Sequence, residues 1–368
     1  MKVKFNDLNR QYIDLKDEVD VAIQNVLANS SFIGGSDVDS FEREFAECMR
    51  SDFAIGCGNG TDALQIALKA LGVTHGDEVI VPAHTWISTS EAVSSVGATP
   101  VFCDSEKDSC LMDTSIVESL ITKNTKCIIP VHLFGQPVNM NNLLDISKKH
   151  GLKIIEDCAQ AHMAKYQGRL VGTFGDIGTF SFYPGKNLGA MGDAGGIVTN
   201  NKDLYLWMKK YAKHGSLVKG AHEFEGINSR LDTLQAKILR IKLKKLPEYT
   251  QKRRDIAKRY DTGLMGVGDV DVIRESPNVH HVYHLYVIKT VKRDELKNYL
   301  GDHGVETIIS YKKALPFTDA YSGRGYSAVD FPNAYQNQGM ILSIPIFPEM
   351  LSQEVDYVIT KIQDFYKK

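Results

Sequence analysis

Lys186 lies in the run Phe180-Ser181-Phe182-Tyr183-Pro184-Gly185-Lys186-Asn187-Leu188-Gly189-Ala190. Upstream, the apolar stretch Ile154-Ile155-Glu156 ends on Asp157 and continues as Cys158-Ala159-Gln160-Ala161-His162. A lone lysine after glycine is ordinarily a solvated loop residue. Here an apolar strand, Ser181, the aromatic Tyr183 and the small residues from Gly189 to Gly196 shape the loop around something. A lysine desolvated in such a setting loses basicity and serves as nucleophile and proton carrier. Asp157 either caps the helix that follows it or presents its carboxylate to a ligand. A lysine for covalent attachment, a carboxylate to keep a ring nitrogen protonated and small polar residues to receive a phosphate are together what pyridoxal phosphate (PLP) chemistry needs.

Other residues bear on the same chemistry. Gly58-Asn59-Gly60-Thr61-Asp62 sits where a strand ends and a helix begins. Its N–H groups and the Thr61 hydroxyl suit a phosphate at the positive end of a helix dipole, or form a plain capped turn. A dinucleotide fingerprint fits poorly, because Thr61 stands where glycine or alanine is needed, so a nicotinamide oxidoreductase is the rival reading. Trp86 follows a strand end and either stacks on a flat ring or packs in the core. Gln160, three residues after Asp157, is on the side of the helical turn from which it can bond a phenolic oxygen. His162 lines the site or packs behind it. Arg230 recognises an anion or pairs with Asp232, and Asn228 or Ser229 is otherwise a helix cap. Cys158 follows a buried strand and reads as a packing residue.

The elements that must position these groups alternate along the chain. Amphipathic helices are expected at 14–29 and 37–50, the second from Phe41, Phe45 and Met49. From residue 53, short β-branched runs alternate with helical patterns at 61–71, 87–96, 113–121 and 139–150. This predicts an α/β fold with a mainly parallel sheet covered on both faces. Two short strands, 178–182 and 195–199, flank the Lys186 loop. A helical tract over 229–262 leads out of this large domain into a smaller α/β domain with helices at 293–303 and 352–366.

The 368 residues are 43% hydrophobic and 24% charged with a net charge of -2, so no global field favours nucleic acid or an anionic membrane. No apolar run reaches the roughly 20 residues that span a bilayer, and the opening residues lack the apolar stretch of a signal peptide. The six cysteines show no CxxC and no paired spacing with histidine, which favours reduced cytoplasmic thiols over a structural metal.

Taken together, the chain resembles the DegT–DnrJ–StrS family of PLP-dependent nucleotide-sugar aminotransferases over essentially its whole length. The likeness runs from Phe32-Ile33-Gly34-Gly35 through Asn59-Gly60-Thr61-Asp62-Ala63-Leu64, Pro130-Val131-His132-Leu133-Phe134-Gly135-Gln136-Pro137, the Asp157 strand, the Lys186 loop and the Asn228 helix to Leu342-Ser343-Ile344-Pro345. The resemblance implies the aspartate-aminotransferase-like fold, PLP fold type I, with a large PLP-binding domain over 1–240 and a small domain over 241–368. It implies catalysis by Lys186 and Asp157, with Gln160 on the ring oxygen and Trp86 on the ring face. Gly60, Thr61 and Ser181 would bind the phosphate, joined by Asn228 from the second subunit of a homodimer. Tyr183, His162, Arg230 and Tyr311 are the candidate substrate contacts. Dehydratases of the family replace the lysine with histidine, so Lys186 favours amino transfer.

Within the family, Tyr183–Ala190 and Asn228-Ser229-Arg230-Leu231-Asp232 look like enzymes that aminate C3 of a dTDP-linked 3-keto-6-deoxyhexose. C4 enzymes more often carry Asn-Tyr-Arg in the second motif, and a C4 or UDP-sugar enzyme is the nearest alternative. The implied donor is L-glutamate, with pyridoxamine phosphate between the half-reactions. The implied product is a 3-amino-3,6-dideoxyhexose for a surface polysaccharide such as lipopolysaccharide O-antigen. Residues 307–321 depart from the pattern: Ile309-Ser310-Tyr311-Lys312-Lys313-Ala314 replaces the His-Tyr-Pro that shapes the sugar pocket in many relatives.

Overall fold

The structure is a computed structural model that describes residues 1–367. Two helices lead in, α1 (Leu8–Ala28) and α2 (Ser36–Met49), and α2 buries Phe41, Phe45 and Met49 as their spacing predicts. The alternation then runs β1 (Phe53–Cys57), α3 (Gly60–Ala70), β2 (Glu78–Pro82), α4 (Ser88–Ser95), β3 (Thr99–Cys103), β4 (Thr125–Ile128), α5 (Met140–His150) and β5 (Lys153–Asp157). The short strands β6 (Lys165–Tyr166) and β7 (Arg169–Leu170) precede β8 (Ile177–Ser181), β9 (Gly195–Thr199) and α6 (Lys202–Tyr211). A 32-residue helix, α7 (Thr233–Leu264), leads to β10 (Asp271–Val272), β11 (Val279–His280), β12 (Tyr286–Lys289), α8 (Arg293–Asp302), α9 (Pro332–Met340), β13 (Ile341–Ile344) and α10 (Ser352–Tyr366).

The expected helix at 113–121 does not form; only a short 3₁₀ turn, Val117–Leu120, is present. The Asp113 carboxylate accepts from the Ser115 N–H at 3.0 Å and from its hydroxyl at 2.6 Å. Such a local turn competes with helical bonding. The unexpected helix α6 carries a local signal all the same: Asn201 caps it by accepting from the N–H groups of Asp203 and Leu204.

Seven strands form the main sheet in the order β1-β9-β8-β5-β4-β2-β3. The pairings make every strand parallel except β9, which runs against both its neighbours. Val79, Ile80 and Val81 of β2 and Ile154 and Ile155 of β5 are fully buried, because helices cover both faces. Parallelism has a direct consequence for the site. The C-terminal ends of β1, β2, β5 and β8 open on one edge, and Gly60, Trp86, Asp157 and Ser181 follow or end those strands.

A second sheet, β10-β12-β13, has its own core with α8, α10 and the far half of α7. α7 spans both regions: Ala236, Leu239 and Leu246 pack with the main sheet, and Ile256, Tyr260 and Leu264 with the second. The chain then returns. Leu315, Tyr321, Phe331 and Ala334 pack in the core of the main sheet, and the Leu315 N–H donates to Ala83 O at 2.7 Å. That return carries Tyr311 to the end of β2. Among the described residues no helix is long and apolar enough to cross a membrane.

Candidate active site

A cavity of about 730 Å³ opens at the C-terminal ends of the parallel strands. Gly60, Thr61, Trp86, Asp157, Gln160, Ser181, Tyr183, Lys186 and Tyr311 all line it. The fold therefore brings together nine of the twelve residues singled out in the sequence. His162, Asn228 and Arg230 lie outside the lining.

The loop that presents Lys186 is folded tightly on itself. The Lys186 N–H donates to Tyr183 O at 2.8 Å and the Ala190 N–H to Phe182 O at 2.7 Å. Gly189 is obligatory, since a Cβ there would meet Pro184 O at 2.3 Å. Two neighbours brace the loop. The buried Lys242 of α7 donates to Gly189 O at 2.8 Å, and the Asn187 amide donates to Val282 O at 3.0 Å. Desolvation lowers the Lys186 amine to about 8, against an opposing pull from the Asp157 carboxylate. Free base is then abundant near neutral pH, as a nucleophile and proton carrier requires.

Asp157 is buried at the end of β5, and desolvation raises its pKa. Its charged form is favoured by the Ala159 N–H at 3.1 Å, by the Thr89 hydroxyl at 3.0 Å and by the charge of Lys186, with a smaller pull from His132. The strand itself is anchored by the preceding residue. Glu156 accepts from the N–H groups of Phe174, Gly175 and Gly172 at 2.6, 2.8 and 2.7 Å. His132 Nε2 adds a contact at 3.2 Å, while its Nδ1 accepts from the Val138 N–H. Glu156, His132 and the buried Cys158 lie close enough to suggest a metal cluster. The hydrogen bonds already occupy the carboxylate and imidazole, and desolvation pushes the Cys158 thiol up, so the trio reads as structural.

At the other pole, Asn59 caps α3 by accepting from the Asp62 N–H at 2.8 Å. Gly60 sits against Ser181, whose Cβ would be 2.8 Å from any Cβ added at position 60. This contact sets the helix N-terminus beside the Ser181 hydroxyl. Thr61 Oγ1 lies 2.8 Å from Ser88 Oγ. Trp86 is 58% exposed, so it is not a core residue, and its ring lies 5.5 Å from that of Tyr311. Gln160 is doubly engaged: its Oε1 accepts from the Phe134 N–H at 2.6 Å and its Nε2 donates to the Tyr311 hydroxyl at 2.9 Å.

His162 is fully buried against Phe180 and Phe182, with ring centroids at 5.4 and 5.7 Å. Burial and the charge of Lys186 push it down to about 3, so it is neutral. Asn228 and Arg230 are exposed, while Ser229 between them accepts from the Gly58 N–H at 2.9 Å and donates to Asp62 at 2.6 Å. Ser88 and Thr89 are among the lining residues that escaped the sequence reading. Their position just after Trp86 was the one available signal.

The residues fit PLP. A desolvated lysine and a carboxylate that, among the described residues, has no cation in hydrogen-bond contact share one cavity with a capped helix N-terminus and the hydroxyls of Thr61 and Ser181. Beyond covalent attachment and proton transfer, the arrangement offers an indole lining the cavity, Trp86, and a phenol, Tyr311, kept protonated by burial.

The sequence profile of the DegT/DnrJ/EryC1/StrS aminotransferase family matches residues 14–363. The chain is 39% identical over 367 residues to the dTDP-3-amino-3,4,6-trideoxy-alpha-D-glucose transaminase of Streptomyces venezuelae, covering 100% of this chain and 97% of that one. It is 40% identical to the UDP-N-acetyl-3-dehydro-alpha-D-glucosamine 3-aminotransferase of Acidithiobacillus ferrooxidans, covering 97% and 96% of the two. The crystal structure of S. venezuelae DesV with a ketimine intermediate superposes with a TM-score of 0.98 at 39% identity, covering 100% and 99% of the two chains.

Proposed function

The chain belongs to the DegT/DnrJ/EryC1/StrS aminotransferase family, and from that premise we propose that it moves an amino group from L-glutamate to C3 of a dTDP-linked 3-keto-6-deoxyhexose. Its cofactor is pyridoxal phosphate, and it is a sugar transaminase. The observation that carries the reading is the sharing of one cavity by Lys186, lowered to about 8, and the buried Asp157. C3 is supported by two similar enzymes whose names specify amination there, one on a dTDP-sugar and one on a UDP-sugar. The second of these makes a UDP-linked keto-sugar the alternative substrate.

When bound, the cofactor supplies an electron sink for the carbon that loses its proton. Asp157, fixed by Thr89 and Ala159, would hold the proton on the pyridine nitrogen. Lys186 Nζ would carry the proton that moves during the transfer, which its depressed pKa permits near neutral pH. Gly60, Thr61 and Ser181 would hold the phosphate, and Trp86 would cover the ring. The Tyr311 hydroxyl accepts from Gln160 and so keeps its own proton for an oxygen of cofactor or sugar. Asn228 acts on the neighbouring subunit's phosphate in a homodimer. Its exposure supports this, as do Phe32 and Ile33, which are 46% and 53% exposed on a segment bridged to Asp232.

A visible absorbance spectrum tests the reading. Protein supplied with PLP should develop a yellow band that L-glutamate bleaches, and a dTDP-3-keto-sugar should then restore the colour. Protein that stays colourless with PLP would sink the assignment. Recovery by a 4-keto-sugar or only by a UDP-keto-sugar would move the proposal to the alternative substrate.

A further inference from the structure

The Thr61 hydroxyl, one of the groups assigned to the cofactor phosphate, is already engaged in a chain of three side chains. Thr61 Oγ1 lies 2.8 Å from Ser88 Oγ, and Ser88 Oγ donates to Glu91 Oε1 at 3.0 Å. Thr61 and Ser88 line the cavity; Glu91 stands outside it, exposed on the first turn of α4. The polarity of the chain is fixed at its acidic end. A carboxylate only accepts, so the single Ser88 proton goes to Glu91. The Thr61–Ser88 bond must then use the Thr61 proton, with the serine oxygen as acceptor. Thr61 therefore turns lone pairs toward the cavity, which is the wrong polarity for an anion.

We propose that Ser88 and Glu91 restrain cofactor loading, holding the Thr61 hydroxyl away from the phosphate so that Glu91 sets the affinity for phosphate-bearing cofactor. The proposal rests on the PLP reading of the cavity and goes beyond it, since Glu91 touches no cofactor. Phosphate capture requires the Thr61–Ser88 bond to open, and the helix N-terminus of α3 then gains the Thr61 hydroxyl as a donor beside that of Ser181. Ser88 and Glu91 are positioning residues that act through Thr61. The amide introduced by Glu91→Gln can donate to Ser88, which reverses the chain and frees the Thr61 proton. Ser88→Ala frees that proton by removing its acceptor.

The test is the dissociation constant of pyridoxamine phosphate, and of pyridoxamine as the phosphate-free control, measured on the full-length apoprotein by equilibrium dialysis. Glu91→Gln and Ser88→Ala should each tighten pyridoxamine phosphate by about three- to tenfold, the range of one released hydrogen bond, and leave pyridoxamine unchanged. Thr61→Val should weaken it, and adding Glu91→Gln to Thr61→Val should give no gain, because the two act through one bond. Unchanged or weaker binding in both single variants would overturn the proposal while leaving the PLP site intact. A gain that persists in the Thr61→Val background would overturn it too, by showing a plain charge effect. Wild-type protein that binds neither compound would remove the PLP reading and the proposal together.

Discussion

The free-base population of Lys186 can be followed directly as the rate at which apoprotein captures PLP. An amine with the ordinary lysine value of 10.5 is about one part in a thousand free base at pH 7.5, whereas one at about 8 is roughly a quarter free base, a gain of about two-hundredfold. The growth of visible absorbance after mixing should therefore rise with pH and level off above about 8. The perturbation is Asp157→Asn. The Asp157 carboxylate stabilises the ammonium form of Lys186, so its removal leaves desolvation unopposed. The midpoint of the capture rate must then move to lower pH, even where the final affinity falls. Stopped-flow absorbance across pH 5.5–10.5 at constant ionic strength (a range chosen to bracket ~8 and ~10.5) reads both midpoints. A wild-type midpoint near the ordinary lysine value, or a rise in the Asp157→Asn midpoint, would refute the electrostatic account of the site.

Three further outcomes follow from the same geometry. Thr89→Val removes the hydroxyl on Asp157; a hydrogen bond to a charged group contributes about 1.5–3 kcal/mol, so kcat should fall about ten- to a hundredfold with the KM for glutamate little changed, and unchanged kcat would remove Thr89 from the site. Glu156→Ala strands one buried and two partly buried N–H groups, the buried one alone costing about 1–3 kcal/mol, and should lower the urea midpoint of unfolding; a midpoint equal to wild type would show that the nest is dispensable. Lys186→Ala and Asn228→Ala should each be crippled alone, but after subunit exchange a mixture should recover about a quarter of wild-type activity, because half of the dimers then hold one intact site. No recovery between two properly folded, exchanging variants would count against a shared site.

The candidate catalytic residues were legible because each carries a local trace. Asp157 ends an apolar run and Lys186 sits in a glycine-rich loop after another, and the parallel alternation of strands and helices places both at one sheet edge. Trp86 shows the limit of such reasoning. An aromatic after a strand is usually core, and only the packing of its surroundings leaves this one 58% exposed over the cavity. At 113–121 the helical pattern lost to a local turn centred on Asp113, a competition that hydrophobic spacing does not register.

By itself, then, the sequence determined the chemistry, most of the alternation of strands and helices and the end of the sheet where they meet, because apolar periodicity and turn residues act over a few positions of chain. Only the tertiary structure decided which groups tune that chemistry. Thr89 reaches Asp157 across 68 residues and Tyr311 reaches Gln160 across 151. Such bonds depend on where a returning segment packs against a strand end, and burial leaves no periodic mark in the residues between. Desolvation of Lys186 has the same origin: its amine is lowered by the groups packed around it, which come from helices and loops far apart in the chain.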